Sequence, residues 1–399
     1  MANAYTSTGS TTLGGTVGGA GLVQKAYDRL LEFALRAEPL IRSVADKTPA
    51  QQSIPGSTVV LQKYVDLNAV TDTLTETVDP DSVALSTPNT VTITLNEYGN
   101  SVLVTRALEL FSLADVDPAI ANVIAFNLAD SIDKVAMTTL NGGTNVIYGG
   151  STATSTATIT AAATLDSADI RKAVAKLRSA KAAYRKGSLY WTGIHPEVSH
   201  DLRAETGAAG WRDPHNYSDV DKIYAGEIGQ YEGAFFVESP RLYSTKSGAD
   251  QTALATTTAT VAGTSAGFTI GVASSSVIAS RAEVGDKIAA TGIASGAKIT
   301  AISTSGSTTT ITVDTANTAA VTVGATVTVT PVTRVFSTIV CGKQAMAQAV
   351  AEEPHVVIGP VVDKLMRFRP MGWYGVLGFA RYREEALYRL ETGSSIAAL

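Results

Sequence analysis

A single cysteine, Cys341, stands in 399 residues, so the chain can form neither an internal disulfide framework nor a thiolate metal cluster. A reducing compartment suits that usage. Basic residues are not in excess: 31 Lys and Arg face 36 Asp and Glu, a formal net charge of −5. That balance argues against a dedicated nucleic-acid binder, which needs a basic surface to meet phosphate. Long apolar runs are missing too. The most apolar stretch, Ala119 to Ala129, is interrupted by Asn122 and Asn127, far short of the 18 or more apolar residues of a membrane span, so no membrane association is expected. Met1 to Ala20 lack the charged start and apolar run of a secretory signal. With 45% hydrophobic residues the chain has ample material for packed cores, and its length allows two or three domains.

Catalytic motifs are scarce. Gly263-Thr264-Ser265-Ala266-Gly267 matches the G-x-S-x-G string, yet it sits in a Thr/Ala/Ser/Gly tract with no helix to follow it. Ser199-His200-Asp201 holds the ingredients of a triad, but consecutive side chains diverge where a triad must converge. His195 and His200 are five apart, about 140° around a helix, unlike the four-residue spacing of zinc ligands. Gly342-Lys343 lacks the glycine-rich approach of a phosphate loop. His215 and His355 are isolated. The reading is therefore a non-enzyme with no cofactor and no metal.

What the chain does contain is a sequence of textures. Met1 to Ala20 include five Gly and five Thr, and the first charge is Lys25, as in a flexible arm. From Leu22 a helical pattern runs to Pro39, with Leu22, Ala26, Leu30 and Ala34 in one row. After Ile54-Pro55-Gly56, two stretches with period-2 alternation, Ser57 to Val65 and Val91 to Tyr98, read as the strands of a long hairpin. Between Tyr64 and Thr105 there is no Lys or Arg, while Asp66, Asp72, Glu76, Asp79, Asp81 and Glu97 contribute six negative charges. Such a hairpin is either a charge-protected solvated edge or an arm that reaches a basic surface on another molecule.

Asp117-Pro118 then opens a long helix with Ile120, Ile124, Leu128 and Ile132 at four-residue spacing, ended by Asn141-Gly142-Gly143. A second helix starts at Asp166, runs through Ile170, Val174, Leu177 and Tyr184, and meets Gly187. Its outer face, from Arg171 to Lys186, is basic, as a solvated surface is. Strands at Leu189 to Ile194, Ala234 to Glu238 and Val335 to Val340, with a short helix after His195-Pro196, make a mixed α/β region. Composition changes near Gly248: from Gln251 to Thr333 the chain consists mostly of Ala, Thr, Ser, Gly and Val, and Phe268 is the only aromatic. Period-2 alternation there predicts a small β-sandwich or barrel; the alternative is a low-complexity linker. Leu365 to Leu390 reads as a closing strand pair carrying Arg367, Arg369, Arg381, Arg383 and Arg389.

This order of elements resembles the major capsid proteins of tailed bacteriophages with the Hong Kong 97-type fold. Leu31-Glu32-Phe33-Ala34, Gly56-Ser57-Thr58-Val59-Val60, Gly372-Trp373-Tyr374-Gly375 and Glu384 to Leu390 look like the family typified by the phage N4 major coat protein. The resemblance implies an α+β fold in seven parts: an N-terminal arm and helix (1–53); an elongation loop (54–100); a peripheral domain with a spine helix (101–165); an axial domain in two pieces (166–250 and 334–362); an inserted β-sandwich-like domain (251–333); and the closing peripheral strands (363–399). It further implies an icosahedral head shell of hexamers and pentamers of this chain around double-stranded DNA, held without sequence-specific binding. Scaffolding, portal and decoration proteins would be further partners, with assembly in the host bacterial cytoplasm. The elongation loop would lie over a neighbouring copy, which makes Asp72, Glu76, Asp79 and Asp81 candidate contacts for Arg367, Arg369, Arg381 and Arg383. A phage tail-tube, adhesin or surface-layer protein is the alternative reading, and a hydrolase of unrecognised type stands third.

Overall fold

The computed structural model describes residues 40–47, 57–64, 67, 69–71, 73–74, 76, 82–84, 89–106, 116–150, 153–205, 229–359, 365 and 367–396. The expected N-terminal arm and its helix, the turn at Ile54-Pro55-Gly56, His215, and the candidate residues Asp72, Asp79 and Asp81 lie outside them. The chain divides into two compact units. Among the described residues one comprises Tyr98–Ala129 and Pro354–Gly375, and the other Ala37–Glu97, Asp130–Glu353 and Val376–Leu399.

The expected long helix is α1, Val116–Asn141, 26 residues and so about 39 Å of rod. A row at four-residue spacing turns by about 40° per step, so different side chains of the row find cover along the helix. In the first unit Ile124 is buried beside Val104, Met371 and Trp373, with Ile120 and Leu128 at the margin. In the second, Ala136, Met137 and Leu140 pack with Ile41, Val44, Ile339 and Leu387.

The second unit is built on a seven-stranded mixed sheet. Its main path runs Val146–Tyr148, Leu387–Thr392, Val332–Cys341, Tyr190–Ile194, Ala234–Glu238, Gln230–Tyr231, and Ser244–Asp250 pairs with the first half of Val332–Cys341. Helix α2, Ser167–Ser179, covers it. Asp166 caps this helix by accepting the Asp169 amide at 2.8 Å. Ile170, Ala173, Val174 and Leu177 point into a core shared with Tyr190, Ile194, Phe336 and Leu390. Each large apolar side chain so buried contributes about 1.5–3 kcal/mol. Helix α3, Pro196–Ala204, adds Val198 and Leu202 to the same core.

Two expectations need correction here. Helix α2 ends at Ser179 rather than continuing to Tyr184, because Lys181 takes a left-handed conformation (φ 54°). The Ala182 amide then reaches back to the Leu177 carbonyl and the Lys181 amide to that of Arg178, which is the Schellman closure. Gly187, read as the stop signal, serves the later turn that joins Lys186 to Leu189. The closing strands, moreover, are not a pair. Phe368–Arg381 belongs to a four-stranded sheet in the order Asp46–Lys47, Met346–Ile358, Phe368–Arg381, Asn96–Thr105, whereas Leu387–Thr392 lies in the seven-stranded sheet.

Six further strands make an antiparallel sheet in the order Lys287–Ala290, Thr326–Thr330, Thr257–Val261, Thr269–Ala273, Thr308–Val313, Ile299–Ser305. Its two end strands meet at the Lys287–Lys298 bridge and through the Ile288 amide to the Ala297 carbonyl, so the sheet curls back on itself as a small barrel. The alternation of Val and Ile with Thr sends Ile270, Val272, Ile311, Val313, Val327 and Val329 inward, and among the described residues the cluster they form draws on none outside Leu254–Val329.

Candidate inter-subunit surface

The expected hairpin is present. Thr58–Lys63 pairs antiparallel with Asn89–Thr94, from Thr58 opposite Thr94 to Lys63 opposite Asn89. Period-2 alternation lays Val59 and Leu61 toward Ile93, Ala347 and Ala349, and this cluster fixes the hairpin base. Gly378 lets it seat closely, since a Cβ there would collide with the Thr94 carbonyl oxygen.

Beyond that base the loop exposes apolar side chains. Leu67, Val70, Leu74 and Val83 are 58%, 80%, 76% and 74% exposed, and Glu76 is exposed among them. Several large apolar groups exposed on one loop make it a candidate interaction surface. Charge was the signal read from the sequence here; full burial of any one of these Leu or Val side chains would contribute about 1.5–3 kcal/mol.

The four candidate arginines differ in their surroundings. Arg381 is committed within the chain: its Nε donates to Glu384 at 2.9 Å and Nη1 to the Thr139 carbonyl at 3.0 Å. The guanidinium of Arg367 lies 5.2 Å from the Phe368 ring centre, and Arg369 is half-buried in the strand Phe368–Arg381. Arg383 is exposed, beside the Tyr382 ring at 5.8 Å.

Sequence reasoning missed a cationic pocket at the foot of the hairpin. Lys63, at the end of its first strand, Lys181, in the turn after α2, Lys343, in the turn after Val332–Cys341, and Arg383 line it together with Glu385 and Ala180, Ala182, Ala183 and Ala386. Glu385 is held below the usual carboxylate range by its own backbone amide and by Lys63, whose Nζ lies 3.1 Å away. The four cations come from widely separated parts of the chain, so no local motif announces them.

Two buried ionic knots position elements of the second unit. Asp133 on α1 accepts the amides of Ile41 at 2.7 Å and Arg42 at 3.0 Å and also faces Arg241, which pins the segment Leu40–Lys47. Burial raises the Asp133 carboxyl, opposed by those amides. Lys246 Nζ, from the strand Ser244–Asp250, meets Asp286 at 2.6 Å and Glu283 at 2.9 Å on the barrel, while Arg334 reaches Glu283 at 2.9 Å and Lys287 reaches Asp250 at 2.6 Å. Barrel and sheet are thus joined by charge.

The groups weighed for catalysis hold structural posts. Ser199 Oγ donates to the Pro196 carbonyl, whereas Asp201 accepts the amide and hydroxyl of Ser395. His195 caps α3 by accepting the Glu197 amide, and burial lowers its pKa. Burial pushes the Cys341 thiol up to about 12. Among the described residues no three His, Cys, Asp or Glu side chains gather as a metal set, and no helix is long and apolar enough to cross a membrane.

A firmly packed hairpin whose described loop residues are exposed, a long helix, a mixed sheet and a small barrel make up the described fold. Residues 41–388 match the family model described as phage capsid protein, and the chain belongs to that family. No curated protein matches the sequence. Among solved structures, the cyanophage Pam1 capsid is similar with a TM-score of 0.60 at 12% identity, over 94% of this chain and 98% of that one. The Ralstonia phage GP4 capsid gives 0.58 at 13% identity over 96% and 98%, and the cyanophage P-SCSP1u capsid 0.58 at 12% over 94% and 94%. The family is one of structural proteins, and the chain is a capsid subunit that assembles with copies of itself into the head shell of a phage virion.

Proposed function

We propose that this chain is the major capsid protein of a tailed phage with the Hong Kong 97-type fold, related to the phage N4 coat protein family, and that hexamers and pentamers of it close an icosahedral shell around double-stranded DNA. Hairpin 58–94 supports the role of elongation loop: its base is packed and its described loop residues are exposed. Helix α1 takes the part of the spine, and the seven-stranded sheet with α2 that of the axial domain. The barrel, with a core of its own, is read as an insertion that projects from the thin shell wall as a decoration or lateral contact. A net negative subunit encloses DNA without adhering to it. Scaffolding, portal and decoration proteins are the further partners of this reading, and the host cytoplasm its place of assembly.

The observation that carries the proposal is a loop whose described residues are exposed and whose sequence holds no basic residue between Tyr64 and Thr105. Its contact with a neighbouring copy is steered by charge. Replacing Asp79 and Asp81 together by Lys slows assembly and flattens its salt dependence, followed by light scattering from 50 to 500 mM salt, roughly 14 to 4 Å of Debye length. Unchanged kinetics across that range would overturn charge steering.

A further inference from the structure

We infer that the cationic pocket at the foot of the hairpin is the acceptor for the acidic loop of a second copy of this chain, an inference that rests on the assembly reading above. Lys63 is paired with Glu385, but Lys181, Lys343 and Arg383 form no ion pair among the described residues, so the pocket holds four cations against one carboxylate. Its cavity of about 350 Å³ is roomy enough for a few side chains, and four alanines are part of its lining.

The pocket is also held in shape. Lys181 is fixed by the Schellman turn, and the turn bearing Lys343 is anchored by its amide to the Ala183 carbonyl at 2.9 Å and by the Gln344 amide to Asp46. Asp46 is engaged there and with Arg185 at 3.9 Å. Lys63 and Glu385 close the opposite wall.

The chemistry of the occupant follows from that of the walls. Cations together with alanines fit a segment in which carboxylates alternate with aliphatic side chains, and Leu74, Glu76, Val78, Asp79, Asp81 and Val83 provide that alternation. The described residues of the loop, Leu67, Val70, Leu74, Glu76 and Val83, are exposed and none of them lines the pocket, so the occupant assigned to it is the loop of a second copy. In this assignment Arg383 is shared with the contacts expected from the sequence, and Lys63, Lys181 and Lys343 are proposed in place of Arg367, Arg369 and Arg381.

The test uses a labelled peptide of residues 72–83 and the full-length protein held unassembled at low concentration, read by fluorescence anisotropy. The peptide binds with an affinity that falls as salt rises. Its Asp/Glu→Asn/Gln counterpart binds at least tenfold more weakly, and so does the native peptide to a Lys181→Glu/Lys343→Glu variant whose thermal melt matches the parent. Equal binding of both peptides, or of parent and variant, overturns the assignment. A short DNA duplex or inorganic phosphate that displaces the peptide at lower concentration than unlabelled peptide does would overturn it in favour of a phosphate site. Failure here leaves the capsid reading standing if the parent chain still forms shells; if no shells form, it is the capsid reading that fails.

Discussion

Replacing Lys246 by Met removes one ammonium from the knot that joins the barrel to the seven-stranded sheet while keeping most of the side-chain volume. Lys246 is 8% exposed and its partner Asp286 is 1% exposed, so the substitution leaves a carboxylate buried without its cation. Breaking a buried pair in this way costs about 3–5 kcal/mol. Asp286 still accepts the amides of Val332 at 3.1 Å and Glu283 at 2.8 Å, which places the loss near the lower end, about 3 kcal/mol. That corresponds to roughly a hundredfold rise in the population of locally opened molecules. Hydrogen exchange resolved by peptide reads it directly: amides of Glu283–Lys287 and Val332–Arg334 exchange on the order of a hundredfold faster, while those of Tyr190–Ile194 stay protected. Adding Asp286→Asn removes the stranded charge but keeps a carbonyl to accept an amide, so the double variant recovers about half of the loss. Exchange within threefold of the parent in the single variant, or a double variant as poor as the sum of the two singles, would refute the claim that charge is what joins the two parts.

Three further outcomes follow from other groups. Glu283 is held below its ordinary value of 4.5 chiefly by the hydrogen bond from Lys246, so the stability it contributes is complete above pH 4.5 and is lost as pH falls through the lower, folded value; thermal midpoints decline over that acid window, and Glu283→Gln flattens the decline. Asp133→Ala orphans the amides of Ile41 and Arg42 and the guanidinium of Arg241, which costs about 2–4 kcal/mol and frees Leu40–Lys47 to exchange, whereas Asp133→Asn retains most of the protection. Cys341, fully buried with its thiol pushed up to about 12, resists a thiol-specific reagent at pH 8 and reacts fully in denaturant.

Periodicity and turn chemistry made much of the fold legible. Asp166 and His195 cap helices where their positions announced it; the alternation of Ile311 and Val313 with Thr is the alternation of strand faces in Thr308–Val313, and in Thr58–Lys63 Val59 and Leu61 lie on the half-buried face while Thr58, Val60 and Gln62 are exposed. What misled was a stop signal carried by a residue that seldom supplies one. A left-handed Lys181 ends α2 because the Ala182 amide finds the Leu177 carbonyl, and nothing local distinguishes it from the lysines before it. The closing strands look alike in sequence, yet Leu387–Thr392 is drawn into the seven-stranded sheet by its pairing with Phe336–Cys341, a contact decided by partners distant along the chain. Of the candidate contacts, the acidic bias of the loop was plain in composition. The acceptor proposed for it was not legible, since Lys63, Lys181 and Lys343 converge only through tertiary structure, while Arg381 is engaged by Glu384 and Thr139.

The most direct test of the account is electron microscopy of the purified chain across salt concentrations, with light scattering on the same samples. Closed shells, or rings of five and six subunits that merge into shells, are the predicted result. Tubes or flat lattices formed under the same conditions would contradict it.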